Sequence, residues 1–332
     1  MAQYDGLLQG TDVRTGFISG VTFKNKPVQY TAVNGLAVFE GCIVLGTVEE
    51  MEHRAALLRA GQDPDIERGV GITGQQYRWP NALMPYDIDP SLPNQNRVTD
   101  AIAHWQANTN MSFVLRTGAN ASQYPNYVHF TAAGGCWSMV GMQGGRQDLS
   151  LDTGCSTGNA IHEIGHALGL WHEQSREDRD SFVRIRWENI TSGTEHNFNQ
   201  HITDGDDLGG YDYGSIMHYG AYAFSKNGQP TIEPLQSGVT IGQRTALSAV
   251  DIAAIHAMYQ TWYYNKRVYN TFASSASQNA WANVEGLGWR KIKTGNPDGV
   301  TNMFAAFCEA VANNLLVHVF ADGQNVSIVY LA

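Results

Sequence analysis

His162-Glu-Ile-Gly-His166-Ala-Leu-Gly-Leu-Trp-His172-Glu-Gln-Ser-Arg-Glu-Asp-Arg-Asp180 decides how the fold of this 332-residue chain is read. His162 and His166 are four residues apart, so on a helix they stand one turn above the other on one face. Glu163 lies beside the pair. Gly169 offers a place for the helix to stop, because glycine takes positive φ without steric cost. His172 then reaches back as a third ligand. Three neutral nitrogen donors suit one Zn2+ and leave a coordination position open, as in a catalytic zinc site. The alternative is a helix carrying core histidines that are merely hydrogen-bonded, and the third histidine beyond a glycine argues against it.

With these residues in place, the chain resembles the astacin family of metzincin zinc endopeptidases. The zinc motif continues into Glu173, Arg176, Asp178, Arg179 and Asp180, and a matching turn follows at Ser215-Ile-Met217-His218-Tyr219. Tyr77-Arg-Trp-Pro80, Cys136-Trp-Ser138 and Ile241-Gly-Gln-Arg244 agree with the family in order and spacing. Ordered, separated motifs are more specific than any one of them. The resemblance covers roughly residues 69–260. It implies an α+β fold: a two-lobed metzincin-type zinc protease domain behind a propeptide, followed here by a small β-rich C-terminal module.

The chemistry follows from the zinc motif. A catalytic zinc lowers the pKa of its water to about 7. Glu163 is placed to take that proton and to deliver it to the leaving amine. The resemblance adds further roles. Tyr219 is expected as a weak extra ligand that swings to the oxyanion, and Met217 as the apolar floor beneath the histidines. Glu173 would hold the new N-terminus after propeptide removal, and Arg176, Asp178, Arg179 and Asp180 would brace the turn as ion pairs. Family members with an acidic preference carry a basic side chain just before a Leu-Ser. Thr245-Ala246 stand there, so no acidic preference is implied.

Four cysteines, Cys42, Cys136, Cys155 and Cys308, allow three pairings. The resemblance implies a Cys136–Cys155 bridge. The family's second bridge is absent, since its places fall near Met111 and Gln260. Family propeptides carry Phe-x-Gly-Asp, with the Asp on zinc. Here Phe39-Glu-Gly-Cys42 puts a thiol in that place, and a thiolate is a good zinc ligand. Cys42 is therefore expected to ligate zinc in the zymogen only. A buried thiol, or a Cys42–Cys308 bridge, is the other reading.

Three segments are expected: a propeptide-like segment over 1–68, the protease over 69–260, and the β-rich module over 261–332. Strands are expected at Val28–Thr31, Leu36–Phe39, Tyr127–Thr131 and Asp148–Leu151, with further strand and turn signals over Tyr77–Ile88. Helices are expected over Glu49–Ala60, with an i,i+4 Glu50–Arg54 pair, and over Arg97–Ala107, with a core stripe of Val98, Ile102 and Trp105. The zinc helix starts near Asn159. Trp187, Phe198 and Tyr211 are expected to pack the lower half. In the tail, Leu315–Phe320 and Val326–Tyr330 read as a hairpin about Asp322-Gly323, and Asn302–Val311 as helix or strand. The tail's role is binding, or packing on the protease.

The formal net charge of −10 argues against nucleic acid as a partner, and no run of eighteen apolar residues occurs to span a membrane. A protein or peptide substrate and an activating protease that cuts near Arg68-Gly69 are the expected partners. The start, Met1-Ala-Gln-Tyr-Asp5, lacks the pattern of a signal peptide, while the expected disulfide points to secretion or export, extracellular or periplasmic. The competing reading is a catalytically silent zinc protein that acts through its C-terminal module.

Overall fold

The computed structural model describes residues 6–19, 25–61, 77–201, 207–259, 261–275, 279–293, 297–321 and 325–332. Residues 1–108 and 112–254 form one compact unit. Its first strands are β1 (Val13–Ile18), β2 (Lys26–Val33), β3 (Leu36–Phe39) and β4 (Ile43–Thr47), an antiparallel meander. Helix α1 (Val48–Arg59) follows, its first turn closed by a reciprocal Thr47–Glu50 capping box. That cap takes up the Glu50 carboxylate. Arg54 donates to the carbonyl of Phe17 at 3.3 Å, and the Glu50 charge opposes the lowering of its pKa by burial, so the expected Glu50–Arg54 pair interacts electrostatically.

The next elements are β5 (Leu83–Ile88), α2 (Asn96–Asn108), β6 (Ser112–Leu115), β7 (Tyr127–Thr131), β8 (Cys136–Ser138), β9 (Arg146–Leu151) and α3 (Thr157–Ala167). One nine-stranded sheet runs β1-β2-β3-β4-β8-β9-β7-β5-β6. The first four strands thus extend the sheet formed by β5 to β9. The join is short and parallel, Ile43 opposite Ser138, with the Ser138 amide donating to the Cys42 carbonyl at 2.9 Å.

Helix α2 carries Val98, Ile102 and Trp105 on its buried face, and Trp105 Nε1 donates to the Ile161 carbonyl of α3 at 3.1 Å. Helix α3 begins at a Ser156–Asn159 capping box. It stops after Ala167, and Gly169 takes φ 105°. Beyond it lie β10 (Val183–Ile185), paired with β11 (Ile232–Pro234), and then α4 (Ala249–Met258). Phe198 packs with Val183, Ile190, Tyr219 and Phe224, and Tyr211 adds to that cluster while only partly buried. Trp187, in a turn after β10, packs edge-on against Phe198 with ring centroids 6.3 Å apart, as expected, while staying 46% exposed.

The second unit comprises Thr109–Met111 and residues 255–332. Strands β12 (Thr261–Ala273), β13 (Ala280–Val284), β14 (Gly288–Ile292), β15 (Leu316–Ala321) and β16 (Asn325–Leu331) close into a barrel in the order β12-β13-β14-β16-β15. The expected hairpin is present as the antiparallel β15–β16 pair, and its turn at Asp322-Gly323 lies outside the described residues. The ambiguous stretch is helix α5 (Pro297–Asn313). Val300, Phe307 and Ala310 supply a buried helical-period stripe that meets Ala282, Val317 and Val319 of the strands. The expected linker from Gln62 to Arg68 and the cleavage position Arg68-Gly69 also lie outside the described residues.

Candidate metal centre

The i,i+4 spacing of α3 and the turn after Gly169 bring three imidazoles face to face. His166 Nε2 lies 3.1 Å from His162 Nε2 and 3.2 Å from His172 Nε2. All three side chains are buried. Their Nδ1 atoms lie at 2.8 Å from the carbonyl of Ile216, 2.7 Å from that of Leu170, and 2.8 Å from Glu40 Oε2, for His162, His166 and His172 in turn. Carbonyl and carboxylate oxygens only accept, so each Nδ1 carries the hydrogen and each Nε2 turns a lone pair inward. Burial pushes the pKa of all three below the ordinary histidine value, which keeps the rings neutral.

The fourth corner is a sulfur. Cys42 Sγ lies 3.6, 3.4 and 3.2 Å from the Nε2 atoms of His162, His166 and His172. A tetrahedral zinc, with nitrogens at about 2.05 Å and sulfur at about 2.3 Å, sets N–N near 3.3 Å and S–N near 3.6 Å. The four donors fit that ion. They are also the group of His, Cys, Asp and Glu side chains among the described residues that the geometry brings within metal-holding distance. Cys42 and Cys308 are both thiols, so Cys42 is not bridged to Cys308, and Cys136 and Cys155 form a disulfide.

Glu40 and Gly41 shape the approach of Cys42. Glu40 takes φ 46° and Gly41 φ 67°, and a Cβ on Gly41 would stand 2.7 Å from the Phe224 ring. This left-handed kink delivers the thiol and buries the Glu40 side chain completely. Besides His172, its carboxylate accepts from His201 Nε2 at 2.9 Å and from Ser175 Oγ. Burial alone would raise its pKa, but His201 and His172 hold it well below the usual carboxylate range. Phe39 packs edge-on against Trp171 and His201, which stack on each other at 4.4 Å.

Glu163 sits on α3 between the first two histidines. It is 1% exposed, its Oε2 has no hydrogen-bond partner among the described residues, and burial raises its pKa well above the ordinary value, with Arg244 opposing. Tyr219 lies against His172, ring centroids 4.6 Å apart, and its hydroxyl donates to the Glu40 carbonyl at 2.5 Å. Met217 lies under the helix: a Cβ on Gly165 would stand 2.7 Å from Met217 Sδ. Asp251 fixes this turn by accepting from Ser215 Oγ at 2.6 Å and the Ile216 amide at 3.0 Å. Glu173 is mostly buried, accepts the Asp212 amide at 2.8 Å, and has its pKa lifted by burial to about 8. Arg176 pairs with Asp178 at 2.9 Å and Arg179 with Asp180 at 3.0 Å, bracing the turn.

The model of the astacin family of peptidases matches residues 71–260, more than half of the chain. The chain belongs to the astacin family. Zinc metalloproteinase nas-15 of Caenorhabditis elegans is 43% identical over 205 residues, 60% of this chain and 35% of that protein. Blastula protease 10 of Paracentrotus lividus is 41% identical over 197 residues, 56% of this chain and 33% of that protein. The chain therefore spans about a third of the length of these curated relatives. Among solved structures, high choriolytic enzyme 1, a hatching enzyme zinc-protease from Oryzias latipes, is 39% identical with a TM-score of 0.50. That match covers 55% of this chain and 92% of the other.

Sequence reasoning did not find Glu40, Ser175, His201 or Asp251. Glu40 meets Ser175 and His201 across separations of 135 and 161 residues, so no local pattern announces the contact. The available signal was the pair Glu40-Gly41 itself, a charged residue and a turn residue directly ahead of the thiol. His196, unremarkable in sequence, contacts Thr31 Oγ1 of β2 at 3.1 Å.

Proposed function

We propose that the protein is a zinc-dependent endopeptidase, held latent by Cys42 until the segment over residues 1–68 is removed. The observation that carries this reading is the convergence of three inward-facing Nε2 atoms and the Cys42 thiol beside a buried, unpartnered Glu163 carboxyl oxygen. His162, His166 and His172 would hold one zinc ion. Zinc, when bound, supplies Lewis acidity toward a carbonyl oxygen and makes water acidic enough to attack near neutral pH.

The remaining work falls to the chain's own groups. Glu163 takes the proton of the attacking water and returns it to the leaving amine, a role its place between His162 and His166 on α3 allows. In the latent form Tyr219 is occupied with the Glu40 carbonyl. Once that carbonyl leaves, its hydroxyl is available to donate to the developing oxyanion. Strand β8 pairs on one side with β9 and on the other with β4. Removal of β4 opens an edge to which an extended peptide substrate can add as a strand. With Cys42 removed, His162, His166 and His172 would remain to hold the metal. A cut near Arg68-Gly69 by an activating protease would release a new N-terminus, for which the buried Glu173 carboxyl is the proposed partner.

The Cys136–Cys155 disulfide supports an oxidising, exported location. A silent binding protein would most simply have lost Glu163 or a histidine, and all four are present and buried. The test is cleavage of a generic protein substrate by the processed chain. Activity should be abolished by a chelator and restored by zinc. Glu163→Gln should keep zinc while turnover falls by roughly 10²–10⁴. Chelator-insensitive cleavage, or full activity in Glu163→Gln, would overturn the proposal.

A further inference from the structure

The barrel unit presents an outer wall with an unusual composition. On β12, β13 and β14 the apolar residues Val268, Ala280, Ala282, Val284 and Ile292 face inward and pack with α5, with Thr271 and Arg290 opposite Ala282 on the same side. The alternate positions face outward and stand in two cross-strand rows fixed by register. Phe272 lies opposite Trp281, and Trp281 opposite Lys291. Asn270 lies opposite Asn283, and Asn283 opposite Trp289. Side chains directly opposite are about 5 Å apart, and diagonal ones are still in reach of aromatic groups. The six positions therefore form one continuous patch.

Three aromatics at outward strand positions need an explanation, because burial is their usual fate. Phe272 is 50% and Trp289 47% exposed. Helix α5 does not cover them, since its buried side chains join the inward residues. Trp281 is held in place by its Nε1 donating to Asn279 Oδ1 at 2.9 Å. The rest of the patch is equally selective. Asn270 and Asn283 each offer donors and an acceptor, which matches hydroxyl groups that need both. Lys291 adds a cation, and exposed Lys293 follows two residues on. None of the six positions carries a carboxylate, in a chain with net charge −10. The nearby Glu285 accepts the Arg267 amide at the β13–β14 turn.

We propose that this wall binds an acidic polysaccharide, a chain of sugar rings bearing uronate or sulfate groups. The aromatic faces take the apolar faces of the rings, the two amides take hydroxyls, and the lysines complement the acid groups. Contiguous exposed apolar patches on soluble proteins mark interaction or ligand-binding sites, and the amides and lysines among these rings select a hydroxyl-rich, acidic ligand. A single nucleic-acid strand also stacks on aromatics, but such sites add a positively charged groove along the backbone, and this patch gives two of its six positions to amides and one to a cation. The proposal is independent of the zinc site. It gives the peptidase a means of staying on a polysaccharide matrix that surrounds its protein substrate.

The test is affinity electrophoresis and calorimetry of the full chain with four probes: alginate for uronate, heparin for sulfate, neutral dextran, and oligo(dT). Retention by alginate or heparin should weaken as salt rises. Trp281→Ala with Trp289→Ala should raise Kd roughly tenfold or more, as loss of central aromatic anchors does. Lys291→Glu with Lys293→Glu, which leaves the barrel core untouched, should do the same for acidic probes. Peptidase activity and thermal midpoint should be unchanged in the lysine variant. Binding to neither acidic probe, equal binding by both variants, equal binding to dextran, or tighter binding to oligo(dT) would each overturn the proposal.

Discussion

Glu40→Ala in the unprocessed chain should release activity without any cut. The carboxylate is fully buried and accepts from His172 Nδ1 at 2.8 Å, His201 Nε2 at 2.9 Å and Ser175 Oγ. Its removal strands three buried donors, and breaking a buried charge-assisted set of this kind costs about 3–5 kcal/mol. At about 1.4 kcal/mol per decade, the ratio of docked to undocked pro-segment falls by a factor between roughly 10² and several times 10³. The assay is fluorogenic peptide turnover by chain whose intact mass shows no cleavage, expressed as a fraction of the processed enzyme's rate. That fraction should rise by the same factor, and Glu40→Gln should lie between wild type and Ala. Processing supplies an internal control, because the mature enzymes then have the same sequence and should have the same rate. Unprocessed Glu40→Ala that stays as silent as wild type, with an unchanged thermal midpoint, would refute the reasoning.

Two further outcomes follow from the same geometry. In the processed enzyme Tyr219→Phe should keep zinc by metal analysis and lose about 10²–10³ in kcat, with KM little moved, as expected for one oxyanion donor; an unchanged kcat would make Tyr219 a packing residue. Burial raises Glu173 from 4.5 to about 8 in the latent fold, so the folded chain binds a proton there that the unfolded chain has released. The associated stability is complete below pH 4.5 and is lost as pH rises through 8, a span worth up to about 5 kcal/mol. Denaturant titrations of the unprocessed chain should show this decline, and Glu173→Gln should flatten it; an identical slope in the variant would remove Glu173 as its source.

Local chemistry made the site's centre legible in the sequence. Helical spacing places His162 and His166 on one face, Gly169 ends the helix, and the third histidine follows, all within eleven residues. The same holds for the α2 stripe of Val98, Ile102 and Trp105 and for the strand runs. Cys42 was legible only through the resemblance, since it lies 120 residues from His162. Its neighbour Glu40 was not legible, because its three partners, His172 and Ser175 of one turn and the distant His201, lie more than 130 residues away in sequence. Trp187 meets Phe198 edge-on as its hydrophobicity argued, but a turn at the surface leaves it half exposed, which hydrophobicity alone does not foretell. The helix-or-strand ambiguity over Asn302–Val311 arose because α5 is apolar over much of its surface, and packing against the barrel resolved it.

The central claim is that one zinc ion has a sulfur ligand in the latent chain and none in the active one. X-ray absorption at the zinc edge reads this directly. The unprocessed chain should show three nitrogens at about 2.0–2.1 Å and one sulfur at about 2.3 Å. After removal of the N-terminal segment the sulfur shell should vanish as peptidase activity appears, and Cys42→Ala should lack it from the start. A zinc without sulfur in the silent chain, or with sulfur retained in the active enzyme, would contradict the account.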